Sequence, residues 1–128
     1  LKALSARARE ELDKDREIII FPEGTRRPPG APPEYETGIA LLYKTANVPV
    51  VPVALNSGLF WPRRSFLHYP GTIVVEFLPA IPPGLDSRTF LKRLQEAIEG
   101  ATDRLLAEAL EGPNPPPRPP PASGINPA

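Results

Sequence analysis

The residue types best suited to chemistry stand together in Phe21-Pro22-Glu23-Gly24-Thr25-Arg26-Arg27. Gly24 lets the backbone approach a ligand closely or adopt a positive φ. Thr25 adds a hydroxyl and a backbone N–H. Arg26 carries a planar guanidinium that can meet two phosphate oxygens at once. Glu23 can hold an arginine in place or accept a hydrogen bond from a substrate hydroxyl. The set suits an anionic ligand, a phosphate above all, with each charge-assisted hydrogen bond contributing roughly 1.5–3 kcal/mol. The competing reading is a plain turn whose arginines meet only water, because Pro-Glu-Gly-Thr is also ordinary turn chemistry. Residue types alone leave both open.

A nucleophile or general base is harder to find. The chain has no cysteine, which excludes a disulfide framework, a thiolate metal site and a cysteine nucleophile. Its single histidine, His68, lies in the linker Ser65-Phe66-Leu67-His68-Tyr69-Pro70 and is read as an exposed loop histidine. Arg63 and Arg64 share that linker. They either add positive potential near an anionic headgroup or are solvated surface arginines. The neighbouring Phe60-Trp61-Pro62 either rests on a membrane surface or, the preferred reading, packs under the loop.

These residues need elements to position them. Leu1, Leu4, Ala8 and Leu12 follow helical spacing and predict a surface helix with one apolar stripe. Glu17-Ile18-Ile19-Ile20-Phe21 predicts a strand buried on both faces, with the candidate loop at its carboxyl end, where ligands of α/β sheets bind. A loop rich in proline and glycine runs from Pro22 to about Glu36, followed by a helix from Thr37 to Ala46. Val48-Pro49-Val50-Val51-Pro52-Val53-Ala54-Leu55 predicts a second strand. Its prolines cannot donate to a ladder, so an edge position or a bulge is expected. Gly71 to Phe77 predicts a third strand. The last helix is expected from Ser87 to about Leu110, with Phe90, Leu94, Ile98, Ala101 and Leu105 on one face. Asp86 is its expected cap, and Leu85 packs on Phe90 as a hydrophobic staple. The mixed charges on its other face read as a solvated surface. Alternating helices and buried strands give an α/β fold class.

The totals bound this reading. The chain has 128 residues, one domain at most, with 15 basic and 15 acidic residues. A net charge of zero gives no argument for a nucleic-acid partner. The chain opens on Leu1 rather than methionine and is read as a piece of a longer protein. No apolar run approaches the roughly 20 residues that span a bilayer. Eight of the 20 prolines fall between Gly112 and Ala128. That stretch is expected to be a disordered Pro-rich tail, 112–128, following a folded part, 1–111. Its P-x-x-P spacing around Arg118 could suit a polyproline-reading domain, although an unstructured end is the favoured reading.

Phe21-Pro22-Glu23-Gly24-Thr25-Arg26 resembles, letter for letter, the third sequence block of the glycerolipid acyltransferases. Val48 to Ala54 resembles their fourth, valine- and proline-rich block at a similar separation. Pro70 to Val75, followed by Pro79-Ala80-Ile81, resembles their next strand and turn. The likeness covers about Ile18 to Leu110. It implies a partial acyltransferase sheet with flanking helices. It also implies transfer of a fatty acyl group from acyl-CoA or acyl-ACP to the free hydroxyl of 1-acylglycerol 3-phosphate, giving phosphatidic acid. Carried over, Glu23, Gly24, Thr25 and Arg26 bind the acceptor phosphate, and Pro49 and Pro52 inherit a loose role in shaping the pocket. The implied partners are lysophosphatidic acid and an acyl thioester, with a membrane surface engaged by the full-length protein. No cofactor or metal is implied beyond the acyl-CoA or acyl-ACP cosubstrate.

Departures from the family pattern matter as much. The family's base is a histidine with an aspartate five positions later. Here Leu67 precedes His68 and Ile73 lies five positions after it, so His68 is not that base and no catalytic residue is assigned. The family's second block is absent too. Glu36 stands where many members have a lysine, a reversed charge that would weaken or retune a phosphate site. The chain is therefore expected to be the acceptor-binding part of such an enzyme, inactive alone. The alternative is a non-catalytic module that binds anionic lipid or a protein.

Overall fold

The computed structural model describes residues 2–119. Its elements, in chain order, are α1 (Lys2–Leu12), α2 (Gly38–Ala46), β1 (Val53–Leu55), α3 (Ser57–Phe60), β2 (Val75–Phe77) and α4 (Ser87–Glu111). Helices pack with a two-stranded sheet, a mixed α/β arrangement. No helix among the described residues is long and apolar enough to cross a membrane.

The long helix α4 forms where periodicity and capping agree. Asp86 accepts a hydrogen bond from the Thr89 N–H at 3.0 Å and another from the Thr89 hydroxyl. These bonds hold the Asp86 carboxyl below the usual carboxylate range. Phe90, Leu94, Ala101 and Leu105 are buried along one face. Phe90 is fully buried, with its ring stacked on Tyr43 of α2 at a centroid distance of 3.8 Å. Leu85 packs in the same cluster, as expected of a staple. The Tyr43 hydroxyl donates to the Pro82 carbonyl at 2.6 Å and accepts from the Leu85 N–H at 3.0 Å, so this buried phenol is satisfied on both sides.

The sheet is antiparallel, with Val53 opposite Phe77, Ala54 opposite Glu76 and Leu55 opposite Val75. A separate bridge joins Val50 to Ile81. Between these pairings two residues, 51 and 52, face three, 78 to 80, so the ladder carries an extra residue on one side. An edge position or a bulge is expected at the prolines, and the pairing is irregular there, with the extra residue on the facing segment. Pro52 has no N–H to give, yet its carbonyl still accepts from Leu78 at 2.9 Å. Ala54 packs on Ala101 and Leu105. Glu76, on the same face, pairs with Arg104 of α4.

Three expectations need correction. Glu17 to Phe21 forms no strand and is not buried: Ile19 is 84% exposed and Phe21 73%. An apolar run becomes a strand only when another strand completes its hydrogen bonds, and none lies beside it among the described residues. The second and third strands are shortened to Val53–Leu55 and Val75–Phe77, with the outward side chains of Val75 and Phe77 exposed. In α1 the buried residues are Ser5 and Ala8 while Leu4 is exposed, because small side chains let α1 settle on α2. Arg9 donates to the Ala46 carbonyl at 2.9 Å, placing a cation at the α2 C-terminus.

The expected tail, 112–128, is described as far as residue 119. Residues 112–119 run on without helix or strand, Pro116 is buried, and Pro113 and Pro115 to Pro117 line a shallow pocket with Tyr69 and Pro70. Proline holds an extended path without needing backbone partners, which lets this stretch pack against the body. The remainder, 120–128, lies outside the described residues.

Candidate functional site

The candidate loop begins with a tight turn. The Gly24 N–H donates to the Phe21 carbonyl at 2.9 Å, and Gly24 sits in the left-handed region at φ +64°. A side chain at this position would be strained, which accounts for glycine here. The far end of the loop returns to its start, with the Glu36 N–H donating to the Pro22 carbonyl at 2.8 Å. Pro29, midway along, rests against Gly58 of α3, where an added Cβ would come within 3.1 Å.

Two of the four predicted ligands do different work. Glu23 turns inward: its Oε1 accepts from the Glu34 N–H at 3.1 Å and lies 3.8 Å from Arg27 Nε. Arg27 also pairs with the Glu34 carboxylate, and its side chain is only 14% exposed. Glu23 lies in ion-pairing range of Arg27 without a hydrogen bond to its buried Nε, and Gly24 shapes the turn. Thr25 and Arg26 remain exposed. Arg26 forms no ion pair among the described residues, while Arg27 beside it has two acidic neighbours. Adjacent arginines thus divide into an internal brace and a free guanidinium.

The spacing of the sequence gave no signal for Arg27. It lies beyond the matched block, and its burial comes from acids 11 residues apart along a folded-back loop. Tyr35 and Glu99 were also missed. The Tyr35 hydroxyl donates to Glu99 Oε1 at 2.9 Å, tying the loop to α4. Burial raises the pKa of both groups. The negative charges of Glu23 and Asp103 raise Glu99 further, against the lowering effect of the Tyr35 hydrogen bond.

A second loop adds charge beside the first. Arg63 Nη1 donates to the Arg26 carbonyl at 3.2 Å, so the linker after α3 lies against the candidate loop. Glu36 is placed beside Gly24, its Cγ 3.8 Å from where a Cβ would stand. His68 is exposed and tilted against Trp61 at a ring distance of 4.5 Å, in keeping with a surface histidine. A cavity of about 320 Å³ lies elsewhere, between residues 71–74 and the end of α4. The candidate loop is an open surface, and that cavity takes no part in it.

An exposed hydroxyl and a guanidinium without an ion pair among the described residues stand on this loop, with a further arginine alongside, on a mixed α/β scaffold. Comparison with known proteins gives the class. The acyltransferase family model matches residues 1–56. A 1-acyl-sn-glycerol-3-phosphate acyltransferase of Pseudomonas aeruginosa is 35% identical over 108 residues, covering 84% of this chain and 42% of the relative. Proteins of the same name from Limnanthes alba and Cocos nucifera are 30% and 29% identical over 82 residues, each covering 63% of this chain and 29% and 27% of the relative. The chain belongs to the acyltransferase family. It spans less than half the length of these curated relatives. No solved structure matches it.

Proposed function

We propose that this chain is the acceptor-binding part of a 1-acylglycerol-3-phosphate acyltransferase, and that Arg26 with Thr25 grips the acceptor's phosphate. The observation that carries this reading is the division of the two arginines: Arg27 pairs with Glu23 and Glu34, whereas Arg26, on the same turn, is exposed and has no ion pair among the described residues. A guanidinium whose loop is already braced loses little freedom on binding. The reaction served is attack of the acceptor hydroxyl on the carbonyl of acyl-CoA or acyl-ACP. The ester C–O bond forms, the thioester C–S bond breaks, and the thiol leaves with a proton, giving phosphatidic acid. The base that takes the hydroxyl proton is not His68, which has no aspartate at the required spacing.

Titration of the chain with lysophosphatidic acid, and with the same lipid lacking its phosphate, tests the assignment. We expect binding that depends on the phosphate and weakens by about 10- to 150-fold in Arg26→Ala, the loss of one charge-assisted contact. Equal binding of the two lipids, or an unchanged affinity in a folded Arg26→Ala variant, would leave the loop as a plain turn. The second reading, a binding module without chemistry, is favoured by the surroundings of His68. Release of free thiol from an acyl thioester in the presence of acceptor would overturn it.

A further inference from the structure

We propose that the linker from Trp61 to His68 inserts into an anionic lipid surface, with Trp61, Phe66 and Leu67 entering the interface and Arg63 and Arg64 meeting the headgroups. This goes beyond the phosphate-binding reading, because it needs only the linker itself. The linker is a projection with a rigid neck. The Tyr69 N–H donates to the Phe60 carbonyl at 2.9 Å, closing its base. Phe60 is buried and its ring lies against Gly71, where a Cβ would stand 2.2 Å away. Only glycine leaves room for that ring. Arg63 ties the projection sideways to Arg26.

What the neck holds out is apolar. Trp61 is 54% exposed, Leu67 65%, and Phe66 wholly exposed; of the Phe60-Trp61-Pro62 cluster expected to pack beneath the loop, Phe60 is buried and Trp61 is not. Single exposed apolar residues are ordinary, but three on one short projection mark a surface that meets something apolar. The charge identifies what. Arg63 and Arg64 are exposed and form no ion pair among the described residues. No aspartate or glutamate lies anywhere between Glu36 and Glu76. Apolar and aromatic tips flanked by uncompensated cations complement a negatively charged bilayer, where tryptophan settles at headgroup level and arginines meet phosphates. Docking there would also bring Arg26 to the lipid–water boundary.

Trp61 is the chain's single tryptophan, so its fluorescence reports on this linker alone. The full chain is mixed with vesicles of phosphatidylcholine, or of phosphatidylcholine and phosphatidylglycerol in equal parts, none containing lysophosphatidic acid. On the anionic vesicles we expect the chain to sediment and Trp61 emission to shift to the blue. The double variant Phe66→Ser/Leu67→Ser should lose at least about tenfold in partitioning. Arg63→Gln/Arg64→Gln should lose about tenfold or more on anionic vesicles, at roughly fivefold per cation, and little on neutral ones. All four residues are exposed, Arg63 alone among them bonding to another loop, and circular dichroism checks that the helices persist. Absence of sedimentation and blue shift with the parent chain, or parental binding by Phe66→Ser/Leu67→Ser, would overturn the proposal. Neither result bears on acceptor binding, which is measured with a monomeric phosphate ligand in the absence of vesicles.

Discussion

Ile18 to Phe21 and Val53 to Leu55 are both short apolar runs, yet one lies open to solvent while the other forms half of a sheet. The difference is in their neighbours. Val53 to Leu55 meets Val75 to Phe77 in register, and its inward Ala54 is sealed by Ala101 and Leu105 of α4. Ile18 to Phe21 has neither a strand beside it nor a helix over it among the described residues. Hydrophobicity says what a segment would gain by burial, and pairing decides whether it is buried. The chain therefore divides into a packed region built on α2, α4 and the sheet, and a region from Arg16 to Glu36 held mainly by local bonds within its loop.

The largest expected effect tests that division directly. Phe90→Ala removes a fully buried ring stacked on Tyr43 and should cost about 3–5 kcal/mol of stability. Phe21→Ser, the same ring type in the exposed run, should change stability by less than about 0.5 kcal/mol. Urea unfolding followed by circular dichroism measures both. Comparable losses would mean that Phe21 is buried in solution and that the two regions are one.

A sharper contrast lies inside the open region. Arg27 pairs with Glu23 and Glu34, so Arg27→Ala removes the cation between two acids and should destabilise the loop by about 1 kcal/mol, the exposure of Glu34 keeping the loss small. It should also weaken phosphate binding indirectly, by releasing the turn that presents Arg26. Arg26→Ala should leave stability within about 0.5 kcal/mol of the parent while acting on binding alone. Thermal unfolding paired with phosphate-ligand titration separates the two. If Arg27→Ala left stability unchanged, the brace would not exist in solution.

This contrast also shows how far the sequence could be read. The Asp86 cap, the buried face of α4 and the irregular pairing beside Pro52 were all legible, because each follows from residues near one another in the chain. The motif around Gly24 was legible as residue types. The exposure of Ile18 to Phe21, the inward turn of Glu23 and the burial of Arg27 were not. Each depends on a contact, or on the lack of one, across a separation that periodicity and capping do not report.

The smallest expected effect lies where the two regions meet, at the Tyr35–Glu99 hydrogen bond. Burial, then the charges of Glu23 and Asp103, holds the Glu99 carboxyl above its ordinary value of 4.5, and the Tyr35 hydroxyl offsets part of this. A carboxyl raised in the folded state binds its proton more tightly there than in the unfolded chain. Its contribution to stability is therefore present below the ordinary value and is lost as pH rises through the folded one. At neutral pH Glu99 is charged, partly buried and faces other acids. Glu99→Gln removes the charge and keeps a carbonyl oxygen for the Tyr35 hydroxyl. The variant should melt slightly higher than the parent at neutral pH, and the gap should close as pH falls to 4.5 and below, where the parent's own carboxyl is neutral. Solvent screening at this half-open position keeps the gap small. A lower melting temperature for Glu99→Gln at neutral pH would reverse the reading. The charged hydrogen bond from Tyr35 would then outweigh the crowding of acids, and the seam between loop and helix would be held by the charge of Glu99.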